Sequence, residues 1–388
     1  MNARISRCVV SAVLIVTLAL AIAPFAGAQE EDWLPTPTGP YQVGTTFYHW
    51  VDESRDELFT DDPNDKRELI VRVWYPAQVP AGATPVTYLP QGETDARYFD
   101  GTGIGTDLKI TLSAEELALG STHCYLDVPL SDAEASYPVL IYNAGVPSVP
   151  EFGTAQIEEL VSHGYVVASI NHPYIAGWTV FPDGRVVTIK LWLMSTSFQD
   201  AAPEYGAQDQ MFVLDQLEML NQAPPEERFG GRLELDQVGI FGVSWGTWTS
   251  ALACYHDSRC GAVLLEGTHG YLPPPVSEEG FGAPVAVMNS EGETTPSGFE
   301  MMTGPAYALT LHGISGMGYG DFVLWPGYSD EFLPPEARGT VAGLRARQVI
   351  DAYALAFFDR HLKGEEALLL DGPSPDFPEV EIVTRNVQ

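Results

Sequence analysis

From about residue 138 onward the chain alternates between short unbroken apolar runs and longer amphipathic stretches. Pro138-Val139-Leu140-Ile141-Tyr142, Tyr165 to Ile170 and Val238-Gly239-Ile240-Phe241 read as strands buried on both faces. Ala262 to Leu265, Val285 to Met288 and Tyr307 to Leu311 are further strands of the same kind. Between them, residues 151–163 suit a helix ended by Gly164, and Met211, Leu214, Leu217 and Leu220 share one helical face. A helix-compatible stretch follows Phe241 as far as His256, and Val349, Tyr353, Ala356 and Phe357 mark a last helix. This alternation predicts an α/β fold, with a mostly parallel central sheet and helices on both faces.

The first third is different. Leu69 to Tyr75 is one more strand, stopped by Pro76. Residues 29–66 are polar, with Pro and acidic clusters, and read as an irregular lead-in. Residues from about 80 to 136 are turn-rich and poorly periodic, which suits a lid or a decorated edge inserted into a single domain spanning 67–388. Gly101, Gly103 and Gly105 lie there, but no strand precedes them and no Lys follows, so they make a plain loop and not a phosphate cradle.

At the N-terminus, Arg4 and Arg7 precede an apolar run from Cys8 to Ala23, followed by the small residues Ala26-Gly27-Ala28. That order is the pattern of a secretory signal peptide over residues 1–28, so the mature chain is expected to be secreted or periplasmic, with no transmembrane span. In an oxidising compartment Cys254 and Cys260 are close enough to pair, which leaves Cys124 as a buried free thiol.

Composition narrows the function. The 388 residues include 19 Lys or Arg against 52 Asp or Glu, a formal charge of −33, with 45% hydrophobic residues. A globular core is affordable, whereas nucleic acid or an anionic membrane surface would meet too few cations. No H-E-x-x-H or paired Cys/His spacing suggests a metal site, and no cofactor is implied.

Gly242-Val243-Ser244-Trp245-Gly246 sits between a buried strand and a helix. G-x-S-x-G in that context is the nucleophile elbow, with the serine hydroxyl raised on a strained turn above the sheet. A serine needs a base to take its proton, and the base needs a carboxylate to orient it. Glu266 directly follows the strand Ala262 to Leu265, where a carboxylate is costly unless paired, so it is the candidate acid.

Several stretches then resemble a known family: Gly39 to Thr45, Arg67 to Ala77, Ser162 to Val167, Phe181 to Arg185 and Phe357 to Gly364. From about Thr38 to Gly364 the chain resembles the platelet-activating-factor acetylhydrolases, α/β-hydrolases that cleave ester-linked acyl groups without a metal. The resemblance implies Ser244 as nucleophile, Glu266 as acid where Asp is usual, and an oxyanion hole from the amides of Trp245 and Val146, the latter in the loop Ala144-Gly145-Val146-Pro147. The elbow departs from the family's Gly-His-Ser-Phe-Gly-Gly at Val243, Trp245 and Thr247. The family's histidine falls at Gly316, just before Gly318-Tyr319-Gly320-Asp321. His312 is the first candidate for a replacement base. His269, three residues beyond Glu266, is the second. His163 and His172 read as structural, and His49, His123, His256 and His361 have no chemical neighbourhood in the sequence. Trp192, Met194, Trp245 and Trp248 are candidates for an apolar acyl pocket or for core packing.

The sequence thus predicts a secreted serine ester hydrolase acting on a small-molecule or lipid ester. The alternative is an impaired hydrolase that only binds one.

Overall fold

The computed structural model describes residues 33–190 and 202–387; the signal-like segment and Trp192 and Met194 lie outside them. Ten strands make one sheet: β1 (Gln42–Asp56), β2 (Lys66–Ala77), β3 (Cys124–Leu126), β4 (Tyr137–Asn143), β5 (Val166–Asn171), and then β8 (Leu233–Val243), β9 (Cys260–Glu266), β10 (Val285–Asn289), β11 (Ala306–Leu311) and β12 (Val380–Arg385). A separate hairpin pairs β6 (Trp178–Val180) with β7 (Val186–Thr188). The sheet order is β12-β11-β10-β9-β8-β4-β5-β2-β1-β3. Its centre, from β5 through β11, is parallel, and antiparallel pairings join β2 to β5, β1 to β2 and β12 to β11.

The apolar runs become these central strands because both faces are covered. Val139, Ile141, Ile240, Val263 and Leu265 pack on one side of the sheet, and Leu140, Tyr142, Phe241, Ala262 and Leu264 on the other. Strand alternation sends successive side chains to opposite layers, so a strand sandwiched between helices has no polar face. The covering helices are α4 (Thr154–Ser162), α5 (Ala202–Asn221), α6 (Trp245–His256) and α8 (Gly343–Phe358). The short α7 spans Val276–Glu279.

Several strands depart from the sequence expectation, the long β1 and the edge β12 among them. The lead-in carries β1, fifteen residues paired along β2. Its outer neighbour is only the three-residue β3, so much of it faces solvent and lacks an apolar run. β12 is a polar edge strand, hidden for the same reason. The turn-rich insertion contains α1 (Glu93–Thr102), α2 (Ile104–Asp107) and α3 (Ala114–Ala118). These pack an aromatic cluster of Tyr88, Phe99, Phe152 and Trp325. Main-chain bonds from Thr111 to Pro326 and from Ser329 to Leu108, both 2.8 Å, tie the insertion to the 325–337 segment. Cys254 and Cys260 are joined by a disulfide, and Cys124 is buried and unbridged.

At β4 the chain order reverses, with β5 on one side and β8 on the other, so a crevice opens beyond the carboxyl ends of β4 and β8. A buried ionic network braces this end. Arg67 Nη2 donates to Asp209 at 2.6 Å, and His172 joins Asp209 (2.7 Å) to Asn143 (3.2 Å), the last residue of β4. Burial works to raise the Asp209 pKa, but Arg67 and His172 outweigh it and hold the group ionised. His172 is therefore structural, as expected.

Other carboxyls carry the opposite signature, Glu266 and Asp321 among them. Glu266 and Asp321 are fully buried, and burial pushes them up to about 7 and about 8. An acid whose folded pKa lies above its unfolded value stabilises the fold at low pH, and the contribution is lost as pH rises through the folded pKa. His172, buried, and His361, half-buried, are both shifted down by burial and act only below the ordinary histidine range. The melting temperature should therefore fall between about pH 6.5 and about 8.5, and Asp321→Asn should flatten that slope. A rising melting temperature over this window would contradict the assignment.

Candidate active site

β8 runs straight into α6 through one residue, Ser244, at φ 53° and ψ −117°. A left-handed backbone at a non-glycine residue costs roughly 1–3 kcal/mol, and such strain concentrates at functional sites. The flanking glycines make the bend possible. A Cβ on Gly242 would lie 2.4 Å from the Gly246 carbonyl oxygen, and one on Gly246 would lie 2.2 Å from that of Asn143. Gly145, after β4, also lies against the bend: its Cβ would sit 3.1 Å from Ser244 Cβ. The Ser244 amide is held at 3.0 Å by the carbonyl of Glu266. Trp245 supplies the first amide of α6, the positive end of that helix.

The Ser244 hydroxyl lies 3.1 Å from His269 Nε2. The other ring nitrogen, Nδ1, lies 3.0 Å from Glu293 Oε1. The opposite oxygen of Glu293 accepts from the Ser290 amide at 2.9 Å and from the Ser290 hydroxyl at 2.8 Å. His269 sits on a tight reversal after β9 in which Gly267, His269 and Gly270 all have positive φ, 72°, 54° and 72°. Trp248 Nε1 donates to the Thr268 carbonyl at 3.3 Å and pins that reversal to α6. Glu293 follows β10, the next strand of the sheet. Adjacent parallel strands thus deliver serine, imidazole and carboxylate in one line.

The electrostatics agree with the geometry. The bond to Glu293 raises the His269 pKa against the opposing effect of burial. Burial works upward on Glu293, but bonds from His269 and Ser290 bring it below its usual range. An ionised carboxylate only accepts, so Nδ1 carries the proton and Nε2 of the neutral ring is free to accept from Ser244.

Comparisons with known proteins point to one chemistry. The family described as platelet-activating factor acetylhydrolase, isoform II, matches residues 26–199. A "probable 1-alkyl-2-acetylglycerophosphocholine esterase" of Arthroderma benhamiae is 21% identical, over 89% of this chain and 92% of its own. A solved structure, ferulic acid esterase from Streptomyces cinnamoneus, superposes with a TM-score of 0.75 at 27% identity, over 90% of this chain and 98% of that one. The chain is an α/β-hydrolase of the carboxylic-ester class.

In this hydrolase two site residues expected from sequence are not where the chemistry needs them. His312 is not beside Ser244. It ends β11, three strands from β8, which is roughly 14 Å at ordinary strand spacing. Its ring faces Glu381 at 3.5 Å on the exposed outer edge. Glu266 does stand at a strand end next to the elbow, but it has no hydrogen bond or ion pair with a histidine. It accepts from Gln156 Nε2 at 2.7 Å. Gly316, the position where the family has its histidine, lines the site without a side chain. His269 was legible as the second candidate. Glu293 is not legible from sequence, because Glu266 is the carboxylate that directly ends a strand and β10 ends at Asn289, four residues before Glu293.

The hydrolase has a cavity of about 490 Å³ above Ser244. Val146, Ser244, His269, Glu293, Glu266 and Gly316 line it, and Ile104 and Leu108 of the insertion and Phe332 and Leu333 help to roof it. No Lys or Arg does so among the described residues. Trp245 packs with Phe59, Ile175 and Tyr205, and Trp248 packs against Tyr271, so both are packing residues and not cavity walls. Among the described residues no group of His, Cys, Asp or Glu could hold a metal ion, and no helix is long and apolar enough to cross a membrane.

Proposed function

We propose that this is a secreted serine ester hydrolase in which Ser244, His269 and Glu293 form the catalytic triad. The observation that carries the reading is the unbroken line from Ser244 Oγ to His269 Nε2 and from Nδ1 to Glu293. Ser244 Oγ attacks the acyl carbon as its proton passes to His269. The imidazolium so formed is stabilised by Glu293, and the amides of Trp245 and Val146 receive the oxyanion. Collapse breaks the ester bond, with His269 returning the proton to the departing alcohol. A water then repeats the sequence on the acyl-enzyme and frees the acid. The chain order Ser, His, Glu differs from the usual Ser, acid, His of this fold, but roles follow geometry and not order.

The cavity favours neutral esters, since its walls are largely apolar and its ionisable groups are mainly acidic. The names of the relatives support ester substrates with either a short acyl or an aromatic acyl group. The ligand-binding alternative drew on the glycine at position 316; an imidazole supplied by another loop removes that motive. The test is incubation with a fluorophosphonate probe, with hydrolysis of 4-nitrophenyl acetate followed in parallel. Ester turnover and an adduct on the peptide containing Ser244 are expected, and an unlabelled, inert protein would refute the proposal.

The pH profile supplies a second check. The base must be neutral, so kcat/KM should rise with pH through the His269 pKa, at a midpoint above the ordinary histidine value of about 6.5. A midpoint below that value would exclude His269 paired with an ionised Glu293.

A further inference from the structure

The two oxyanion amides come from separate elements: Val146 follows β4 and Trp245 opens α6. Their spacing depends on what joins those elements, and the join is Asn143, the last residue of β4. It is fully buried and pairs across the sheet with Gly242 of the elbow. Its carbonyl faces Gly246, where a Cβ would come within 2.2 Å of the oxygen. Its side-chain amide reaches in two directions, to Ser250 Oγ at 3.1 Å and to His172 Nε2 at 3.2 Å. Ser250 stands in the second turn of α6, and its Oγ would lie 2.9 Å from a Cβ on Gly242.

His172 grips the same loop from its far end. Its ring is fixed by Asp209 at 2.7 Å, and Asp209 is held in turn by Arg67 at 2.6 Å and by Arg55 at 2.8 Å. The His172 carbonyl accepts from the amides of Ile175 (3.1 Å) and Ala176 (2.8 Å), which closes a turn. Gly177, just beyond, passes so near the oxyanion loop that its Cβ would sit 2.5 Å from the Pro147 carbonyl oxygen, and its amide donates to the Ser148 carbonyl at 3.3 Å. The stretch carrying Val146 is thus held before, by Asn143, and after, at Pro147 and Ser148.

Asn143, His172, Asp209 and Ser250 are all buried, and none of them lines the cavity, so none meets a substrate. Any effect they have on the reaction passes through the main chain they hold. Hydrogen bonds suit that task, because they fix distance and direction where apolar contacts fix neither. Resting on the triad reading above, we infer that Asn143 is a positioning residue of the oxyanion hole, keyed to α6 by Ser250 and to the far side of the loop by the His172–Asp209 pair, and that it sets the separation of the Val146 and Trp245 amides.

The experiment measures kcat and KM for 4-nitrophenyl acetate and the inhibition constant of phenyl trifluoromethyl ketone, in wild type, Asn143→Ala and Ser250→Ala. Active sites are counted by fluorophosphonate labelling of Ser244. In the ketone adduct Ser244 Oγ bonds to the carbonyl carbon, its proton passes to His269 and the carbonyl electron pair moves to an oxyanion on the same two amides. For Asn143→Ala, kcat per labelled site should fall about a hundredfold, the scale of a displaced oxyanion donor, while KM stays within about threefold. The ketone should bind more weakly by a similar factor. Ser250→Ala keeps Asn143 and removes one of its two partners, so about a tenfold change of the same kind is expected. It carries the test should Asn143→Ala fail to fold. A lowered melting temperature with kcat per labelled site and ketone affinity unchanged would overturn the inference, as would a loss confined to KM, while labelling at Ser244 still stood. A wild type inert to both ester and probe would instead refute the triad reading, and this inference with it.

Discussion

Replacing His269 by alanine is expected to lower kcat on a short aryl ester by about ten-thousand- to a million-fold, as deep as the loss from Ser244→Ala. The two residues act as a unit: without the imidazole at 3.1 Å the hydroxyl keeps its proton, and without the hydroxyl the imidazole has nothing to activate. The double variant should accordingly be no worse than either single one. Residual turnover would come from the oxyanion amides and from binding. His312→Ala is the informative control. Its ring lies on the exposed edge against Glu381 and should leave kcat within about twofold of wild type. If His312→Ala were the damaging change and His269→Ala the silent one, the site as built here would be wrong. Steady-state kinetics on folded protein, checked by thermal melting, decides between them.

Glu293→Gln is the second large effect, expected at about a thousand- to ten-thousand-fold in kcat. An amide keeps the shape but presents a donor or an uncharged acceptor to Nδ1, so the ring loses both its tautomer and the charge that stabilises its protonated form. The pH profile separates this loss from a mere packing defect. Glu293 is what raises the His269 pKa, so the acidic limb should move to lower pH in Glu293→Gln. Glu266→Gln should leave that limb where wild type has it, because Glu266 touches Gln156 and not the imidazole. A limb that moved with Glu266 and stayed put with Glu293 would reverse the assignment of the acid.

Much of this protein was open to reading without coordinates, and the reasons are local. A strand covered on both faces must be apolar throughout, so β4, β5, β8, β9, β10 and β11 announce themselves as runs. The elbow is equally local, since a bend through one residue between strand and helix tolerates only small neighbours, and Gly242 and Gly246 meet main-chain oxygens at 2.4 and 2.2 Å. The exposed place of Ser244 on that bend and the proximity of Cys254 to Cys260 follow from the same kind of short-range constraint.

The groups that meet Ser244 were decided elsewhere. A histidine's value depends on whether its loop returns to the serine, and that is a matter of strand order and not of distance along the chain. His312 follows a central strand as properly as any catalytic histidine, but its strand lies three places from β8 and pairs outward with β12. His269 reaches Ser244 because β9 is hydrogen-bonded to β8 and the positive-φ residues Gly267, His269 and Gly270 turn its loop back. Glu293 reaches His269 because β10 is the next strand over. The layers, the bend and the residue that stands on it depend on neighbours within a few positions, and the order of residues settles them. Which imidazole and which carboxylate complete the line depends on the fold, because hydrogen-bond reach is set where separate strands end side by side.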